Sequence, residues 1–242
     1  MNTLVEINNI SISFGGIKAV QNLSFNIEQG EILGLIGPNG SGKSTCVNMI
    51  CGVCKPDNGE ITFDGRKMSD KFSIAARSKL GMGRTFQSPR PFTNLSVYDN
   101  VYVAALTKHS KKEAAEKTDY LLKLAELDHS AYSSSSKLSI EKRKWLDLAR
   151  VLATDPKLIM MDEVMAGLNP TEMEASFELV RKINKEGITV LFIEHVMKAV
   201  VSICSRAIVL NEGKLLCQGD PKEVLQRHEV IEAYIGGQKK NA

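Results

Sequence analysis

Residues 37–45 read GPNGSGKST, and the stretch from Gly37 to Ser44 fits the pattern GxxxxGK[ST]. The apolar run EILGLI at 31–36 precedes it, and a helical pattern over about 44–51 follows. A strand on one side and a helix on the other is the setting in which this pattern holds phosphate. Gly37, Gly40 and Gly42, with Pro38, Asn39 and Ser41 between them, let backbone N–H groups converge on phosphate oxygens at a helix N-terminus. In that arrangement Lys43 reaches the β and γ phosphates, Ser44 offers its hydroxyl to Mg2+, and Thr45 follows in the same loop–helix turn. A chance glycine turn is the bland alternative, and both flanks speak against it.

Such a site needs an acid. LIMMDE at 158–163 is apolar until it ends in Asp162 and Glu163. A carboxylate closing a buried strand beside a phosphate loop is the usual Mg2+ partner. Its neighbour Glu163 is placed to act as general base on a water in line with the γ phosphate. Otherwise the two are a strand-end acid pair without a role. No Asn-Lys-x-Asp run is present, which disfavours guanine as the base. Phe14 can stack on a base; taken alone it is as readily a core residue.

A third stretch, KLSIEKRKWLDLAR at 137–150, is harder to place. Trp145, Leu148, Ala149 and Leu152 fall on one helical face. The front, Leu138-Ser139, opens a helix as a phosphate-reading loop does. Ile140, Glu141 and Lys142 then stand where small residues are expected.

The elements that must position these groups follow from periodicity. Ile10, Ile12 and Phe14 alternate with serines, and 24–27 leads into a Gln29-Gly30 turn. A strand at 60–63 is closed by Asp64-Gly65. The middle is helical: Ser96…Asp99 and Ser110…Glu113 read as capping boxes. Val97, Val101, Ala104 and Ala105 make one apolar face, and Ala114, Leu121, Leu122 and Ala125 another. In the last third, strands at 158–161, 188–193 and 206–210 alternate with helices. One helix is capped by Asn169-Pro-Thr-Glu172 and another by Asp220. This pattern predicts an α/β fold. Its core is a mostly parallel sheet flanked by helices, with an N-terminal antiparallel β part and an inserted helical subdomain. The whole of 1–242 reads as one domain, with a core from 1–87 and 157–242 and the insertion at 88–156.

The 242 residues are 43% hydrophobic and 24% charged, enough for a real core. A net charge of +3 is too mild to argue for nucleic acid. No apolar run approaches the roughly 18 residues of a membrane span. The opening is strand-like and carries an acid, so it does not read as a signal peptide. A cytosolic location follows, with any membrane role through a partner. Five scattered cysteines, one lone CxxC at 51–54 and four histidines read as structural rather than as a zinc or disulfide framework. The serine run at 133–136 reads as a flexible connector.

With these motifs in order, the chain resembles the ATP-binding subunits of ABC transporters over nearly its full length. The resemblance rests on Phe14, GPNGSGKST, RTFQ at 84–87, Leu138-Ser139, LIMMDE, AGLN at 166–169 and His195. It implies a P-loop NTPase fold, ATP and Mg2+, and a dimer of ATP-binding subunits under transmembrane permease subunits at the cytoplasmic face of the membrane. An extracytoplasmic solute-binding protein takes part indirectly. It also implies roles. Phe14 stacks on adenine, Gln87 touches the metal or its water, and His195 contacts the γ phosphate. Residues 88–95 line the groove that receives the permease. Ala166, Gly167, Leu168 and Asn169 form a loop at the dimer contact. PRPFTNLSVYDNV, DEVMAGLNPTE, IEHVM and EVIEAYIG look like the subunits of branched-chain amino acid importers. Competing readings are an exporter subunit, for example for lipid, and a soluble ABC ATPase acting on nucleic acid or ribosomes. The single cassette without sustained heptads disfavours the second.

In that family the Leu-Ser loop reads the γ phosphate held by the opposite subunit, and small residues follow it. Glu141 departs from this, as do Val164, where a proline is usual, and Asn169, where aspartate is usual. A carboxylate about 5 Å from a phosphate charge costs roughly 3 kcal/mol at an effective dielectric of about 20. Turned outward, it is an acid in the first helical turn, favourable by a few tenths of a kcal/mol. The outward placement is the expected one, because the inward one is costly. The altered loop would weaken the partner's site, whereas this chain's own Lys43, Glu163 and His195 look intact, so in a heterodimer the site built on them would be the hydrolytic one.

Overall fold

The computed structural model describes residues 2–69 and 71–239. β1 (Thr3–Phe14) and β2 (Ile17–Glu28) form a long hairpin, followed by β3 (Ile32–Ile36) and α1 (Lys43–Cys51). β4 (Asn58–Phe63), β5 (Arg66–Lys67), α2 (Ile74–Lys79) and β6 (Met82–Arg84) come next. Three helices fill the middle: α3 (Val97–Ala105), α4 (Lys111–Leu124) and α5 (Ile140–Leu152). β7 (Leu158–Asp162), α6 (Pro170–Lys185), β8 (Thr189–Ile193) and α7 (Met197–Ile203) alternate after them. β9 (Arg206–Asn211), β10 (Lys214–Gly219), α8 (Pro221–Gln226) and α9 (His228–Lys239) close the described chain.

The strands form two sheets. One is antiparallel, in the order β2-β1-β4-β5; the other runs β10-β9-β3-β8-β7-β6. In the second sheet β9, β3, β8, β7 and β6 are parallel and only β10 is antiparallel. β3, β7 and β8 are buried along their whole length, as expected of parallel strands covered on both faces. Their side chains alternate between two cores. Ile32, Ile36, Ile159 and Met161 point to the core shared with α3 to α7. Leu33, Leu35, Leu158 and Met160 point to the core made by α1 and the antiparallel sheet. The α/β class and the mixed sheet character read from the sequence are those of the structure.

Because β3, β7 and β8 are parallel neighbours, the loops after them leave the same edge of the sheet. In open α/β sheets that carboxyl edge is where ligands bind. The phosphate loop follows β3, Asp162-Glu163 ends β7 and His195 follows β8, so topology alone brings three distant motifs together.

Some local readings need correction. The serine run is not a loose connector. Ser135 is fully buried, its hydroxyl donates to the Phe92 carbonyl at 2.9 Å, and Ser134 bridges to Ser96. Small hydroxyl side chains can satisfy buried backbone groups, which composition does not reveal. Ser110 and Glu113 form a complete capping box. At Ser96 only half of one forms, because the Asp99 carboxylate takes the Ser96 hydroxyl instead of a backbone N–H. β5, α2 and β6 were not foreseen; at two, six and three residues they are too short to carry a period.

Candidate functional site

The phosphate loop is shaped by backbone crowding. Gly37 has φ 147°, and a Cβ there would sit 2.1 Å from the Leu210 carbonyl oxygen. Gly42 has φ 102°, and its Cβ would lie 2.7 Å from the Ala19 carbonyl oxygen. No other residue type fits either place without the loop moving. Gly42 is also the N-cap of α1 and supplies no side-chain cap, so the first N–H groups of the helix keep their capacity for a ligand. Lys43 is 8% exposed and its Nζ donates to the carbonyls of Gly37 at 2.7 Å and Pro38 at 3.0 Å. Burial pulls its pKa below the usual lysine range, against the pull of Glu163 and then Asp162. Ser41 is buried, Ser44 is exposed, and Pro38, Asn39, Gly40 and Thr45 complete the loop and its entry into the helix.

Across the edge, Glu163 stands in a left-handed conformation with φ 51°, which is uncommon for a residue with a Cβ. Its N–H donates to the Ile193 carbonyl at 2.9 Å. Its carboxylate meets two of the residues singled out from the sequence. Gln87 Nε2 donates to Oε2 at 2.5 Å, and His195 Nδ1 lies 3.7 Å from Oε1. Residues separated by more than a hundred positions in sequence thus converge on one carboxylate.

Asp162 has a partner that sequence reasoning missed. Arg84 Nη2 donates to Asp162 Oδ2 at 2.8 Å and Nη1 to Asn48 Oδ1 at 2.6 Å. The Arg84 guanidinium also lies 5.3 Å from the centre of the Phe86 ring. The signal that could have found it is its place three residues before Gln87, on a strand too short to be recognised. Ser44, Gln87 and Asp162 share a groove of about 1040 Å³ that continues past Phe86, Arg90 and Phe92. These oxygen donors suit a hard cation held by one carboxylate, neutral oxygens and phosphate. Among the described residues no cluster of three or more His, Cys, Asp or Glu forms a metal cage.

The other residues lie at two further places. Phe14 is 52% exposed at the tip of the first hairpin, so it is not a core residue. Asn169 caps α6, its Oδ1 accepting from Thr171 and Glu172 N–H while Glu172 returns a bond to its backbone. Ala166, Gly167 and Leu168 lead up to it, Gly167 at φ 76°. Leu138 and Ser139 precede α5, and the Ser139 hydroxyl caps it by accepting from Lys142 N–H at 3.2 Å. Ile140 is 70% exposed. Glu141 is bent along its own helix and accepts from Trp145 Nε1 at 3.3 Å, while Lys142 turns away to Glu126.

The family model described as ABC transporter matches residues 20–166. The high-affinity branched-chain amino acid transport ATP-binding protein LivG of Salmonella typhimurium is 34% identical over 251 residues, covering 96% of this chain and 98% of that protein. The lipopolysaccharide export system ATP-binding protein LptB of Escherichia coli is 31% identical over 230 residues, covering 94% of this chain and 95% of that protein. A solved ATP-binding cassette of an ABC transporter in its ADP conformation superposes with a TM-score of 0.89 at 31% identity, over 98% of this chain and 100% of that one.

Proposed function

This chain belongs to the ABC transporter family as an ATP-binding, ATP-hydrolysing subunit, and from that premise we propose that it drives import of a small solute, most specifically branched-chain amino acids, through a membrane permease. The observation that carries the catalytic part is the convergence of Gln87 and His195 on Glu163 at the edge that also bears Lys43. The solute assignment leans on the likeness to LivG and on the RTFQ, AGLN and IEHVM stretches.

In this reading ATP lies with its base on Phe14 and its phosphates along residues 37–45. Lys43 exchanges a loop carbonyl for a phosphate oxygen, a charge-assisted bond of about 1.5–3 kcal/mol. Ser44, Gln87 and Asp162 would hold Mg2+, which would supply charge neutralisation at the phosphates. Glu163 takes a proton from the attacking water. The water oxygen bonds to the γ phosphorus as the bond to the bridging oxygen breaks, and the electron pair leaves with ADP. Gln87 occupies Glu163 Oε2, which leaves Oε1 to take the proton. In the same reading His195 meets the γ phosphate from the β8 side.

Cassettes of this family act in pairs, and each site joins one chain's phosphate loop to the other's Leu-Ser loop. Glu141 puts a carboxylate in the first turn of α5, where a partner's phosphate would approach. In a heterodimer the site on this chain's Glu163 is then the hydrolytic one, and the partner's site is weakened. The second reading, lipid export, is favoured by the likeness to LptB.

The test uses the complex purified from its native host in mild detergent. Glu163→Gln should abolish most turnover and leave ATP binding; full activity sinks the catalytic assignment. Reconstituted in vesicles, the same complex should accumulate leucine in an ATP-dependent way. Extraction of a lipid without amino acid uptake would turn the assignment to export, and recovery with only ribosomal or nucleic-acid partners would overturn both.

A further inference from the structure

The loop after Glu163 packs Val164 and Met165 into the core but makes few backbone hydrogen bonds of its own. Its internal hydrogen bonds, Ala166 N–H to Glu163 O and Leu168 N–H to Met165 O, are both long at 3.3 Å. Residue 164 is valine, so no proline ring fixes the backbone there. Yet Glu163 sits at a positive φ that its surroundings must impose.

Two buried side chains from other elements supply the constraint. Lys144, in the second turn of α5 and 7% exposed, donates from Nζ to the Val164 carbonyl at 3.1 Å and to the Ala166 carbonyl at 2.5 Å. Glu194, directly after β8 and fully buried, accepts from Met165 N–H at 2.9 Å. The Val164 carbonyl and the Met165 N–H belong to one peptide unit. That unit is therefore gripped at its oxygen by a cation and at its nitrogen by a carboxylate. On the other side of Glu163, the Ile193 carbonyl holds the N–H of Glu163 itself. Three consecutive residues, Ile193, Glu194 and His195, thus meet the segment that carries the base.

Neither side chain is there cheaply. Burial lowers the Lys144 pKa, with Glu194 and Glu163 opposing. Burial raises that of Glu194 to about 6, opposed first by the Met165 bond. The second oxygen of Glu194 is buried without a hydrogen-bond partner. A carboxylate this costly is better explained by the peptide it orients than by fold stability.

We propose that Lys144 and Glu194 are positioning residues for Glu163, gripping the 164–165 peptide so that the base is held in register with α5 and the end of β8. The proposal rests on Glu163 being the general base. Lys144 lies five residues beyond the Ser139 cap, roughly 7.5 Å along the helix axis. A shift at the α5 N-terminus is thereby delivered to the peptide next to the base. A misplacement of about 1 Å in a catalytic group costs up to about a hundredfold in rate, so the grip acts on turnover rather than on ATP affinity.

The experiment measures kcat, KM and ATP affinity on the purified complex for four variants of this chain. Lys144→Met should lower kcat by about tenfold or more with KM and affinity within about twofold. Lys144→Arg, which can donate to both carbonyls, should recover most of kcat. Glu194→Gln keeps an acceptor for Met165 and should stay near the parent, whereas Glu194→Leu should behave like Lys144→Met. Unchanged kcat in both Lys144→Met and Glu194→Leu overturns the proposal, as does a loss that falls on KM alone. If Lys144→Met does not fold, failure of Lys144→Arg or Glu194→Gln to stay active when folded overturns it equally. Glu163→Gln is run beside them. If that variant keeps full activity, the base assignment fails; if it is inactive while the grip variants are normal, only the positioning role fails.

Discussion

Removing Arg84 should expose how tightly the acid of β7 is bound into the fold. Arg84 and Asp162 are 2.8 Å apart with side chains only 14% and 12% exposed. At an effective dielectric of about 20 and a charge separation near 4 Å, their attraction is about 4 kcal/mol before desolvation is set against it. Arg84→Met leaves the carboxylate almost buried without its cation and leaves Asn48 without its donor. Breaking a buried pair from one side costs about 3 kcal/mol, the lower end of the usual range because both groups keep some water. For a chain of this size that is a fall of about 6–12 °C in melting temperature. Asp162→Asn should cost a similar amount by stranding Arg84. The double variant Arg84→Met/Asp162→Asn should cost no more than either single one, since no unpaired charge remains. The cycle then gives a coupling of about 3 kcal/mol. Reversible urea unfolding of the nucleotide-free chain measures all four species. If the two single losses simply add, or each falls below about 1 kcal/mol, the pair is screened like a surface ion pair and the reasoning fails.

Three further outcomes follow from the geometry. Gly37→Ala should abolish detectable ATP binding in a nucleotide titration, because its Cβ meets the Leu210 carbonyl, whereas Gly40→Ala, with open space at φ 77°, should lose only about 1–2 kcal/mol. Asn169→Ala should cost about 1 kcal/mol in denaturant unfolding by removing the α6 cap, and Asn169→Asp should be nearly neutral. Glu194 makes stability depend on pH, with His195, Glu163 and Lys144 as its charged neighbours. Its folded pKa of about 6 lies above the ordinary 4.5, so the folded state binds the proton more tightly. Its contribution is fully present below 4.5 and is lost as pH rises through about 6, a difference of about 2 kcal/mol. Unfolding of the parent and Glu194→Gln at pH 4.5 and 7.5 should show that increment only in the parent.

The parts of this protein legible from sequence are those where one local signal has one structural solution. A glycine loop between an apolar run and a helix could only be the turn after β3, and an apolar run ending in two acids could only be a buried strand. Phe14 was open between ring stacking and core packing, and its exposed place at a hairpin tip decides against the core. What stayed hidden depends on contacts across the fold. Arg84, Lys144 and Glu194 look like ordinary charged residues in sequence; their meaning lies in the carboxylate or peptide that topology sets beside them. The outward placement expected of Glu141 likewise missed its partner, since the indole that holds it is also a core residue of α5.

That indole has a practical consequence. Trp145 is the chain's single tryptophan, packed into the core with its N–H on Glu141 at the end of α5 expected to face a second cassette. Its emission therefore comes from one known place, and the carboxylate on its pyrrole nitrogen makes that emission sensitive to local charge and polarity. Any event that pulls Glu141 away from the indole is written into the native fluorescence of the subunit. Native emission therefore reads the state of the Glu141–Trp145 contact in real time and without a label.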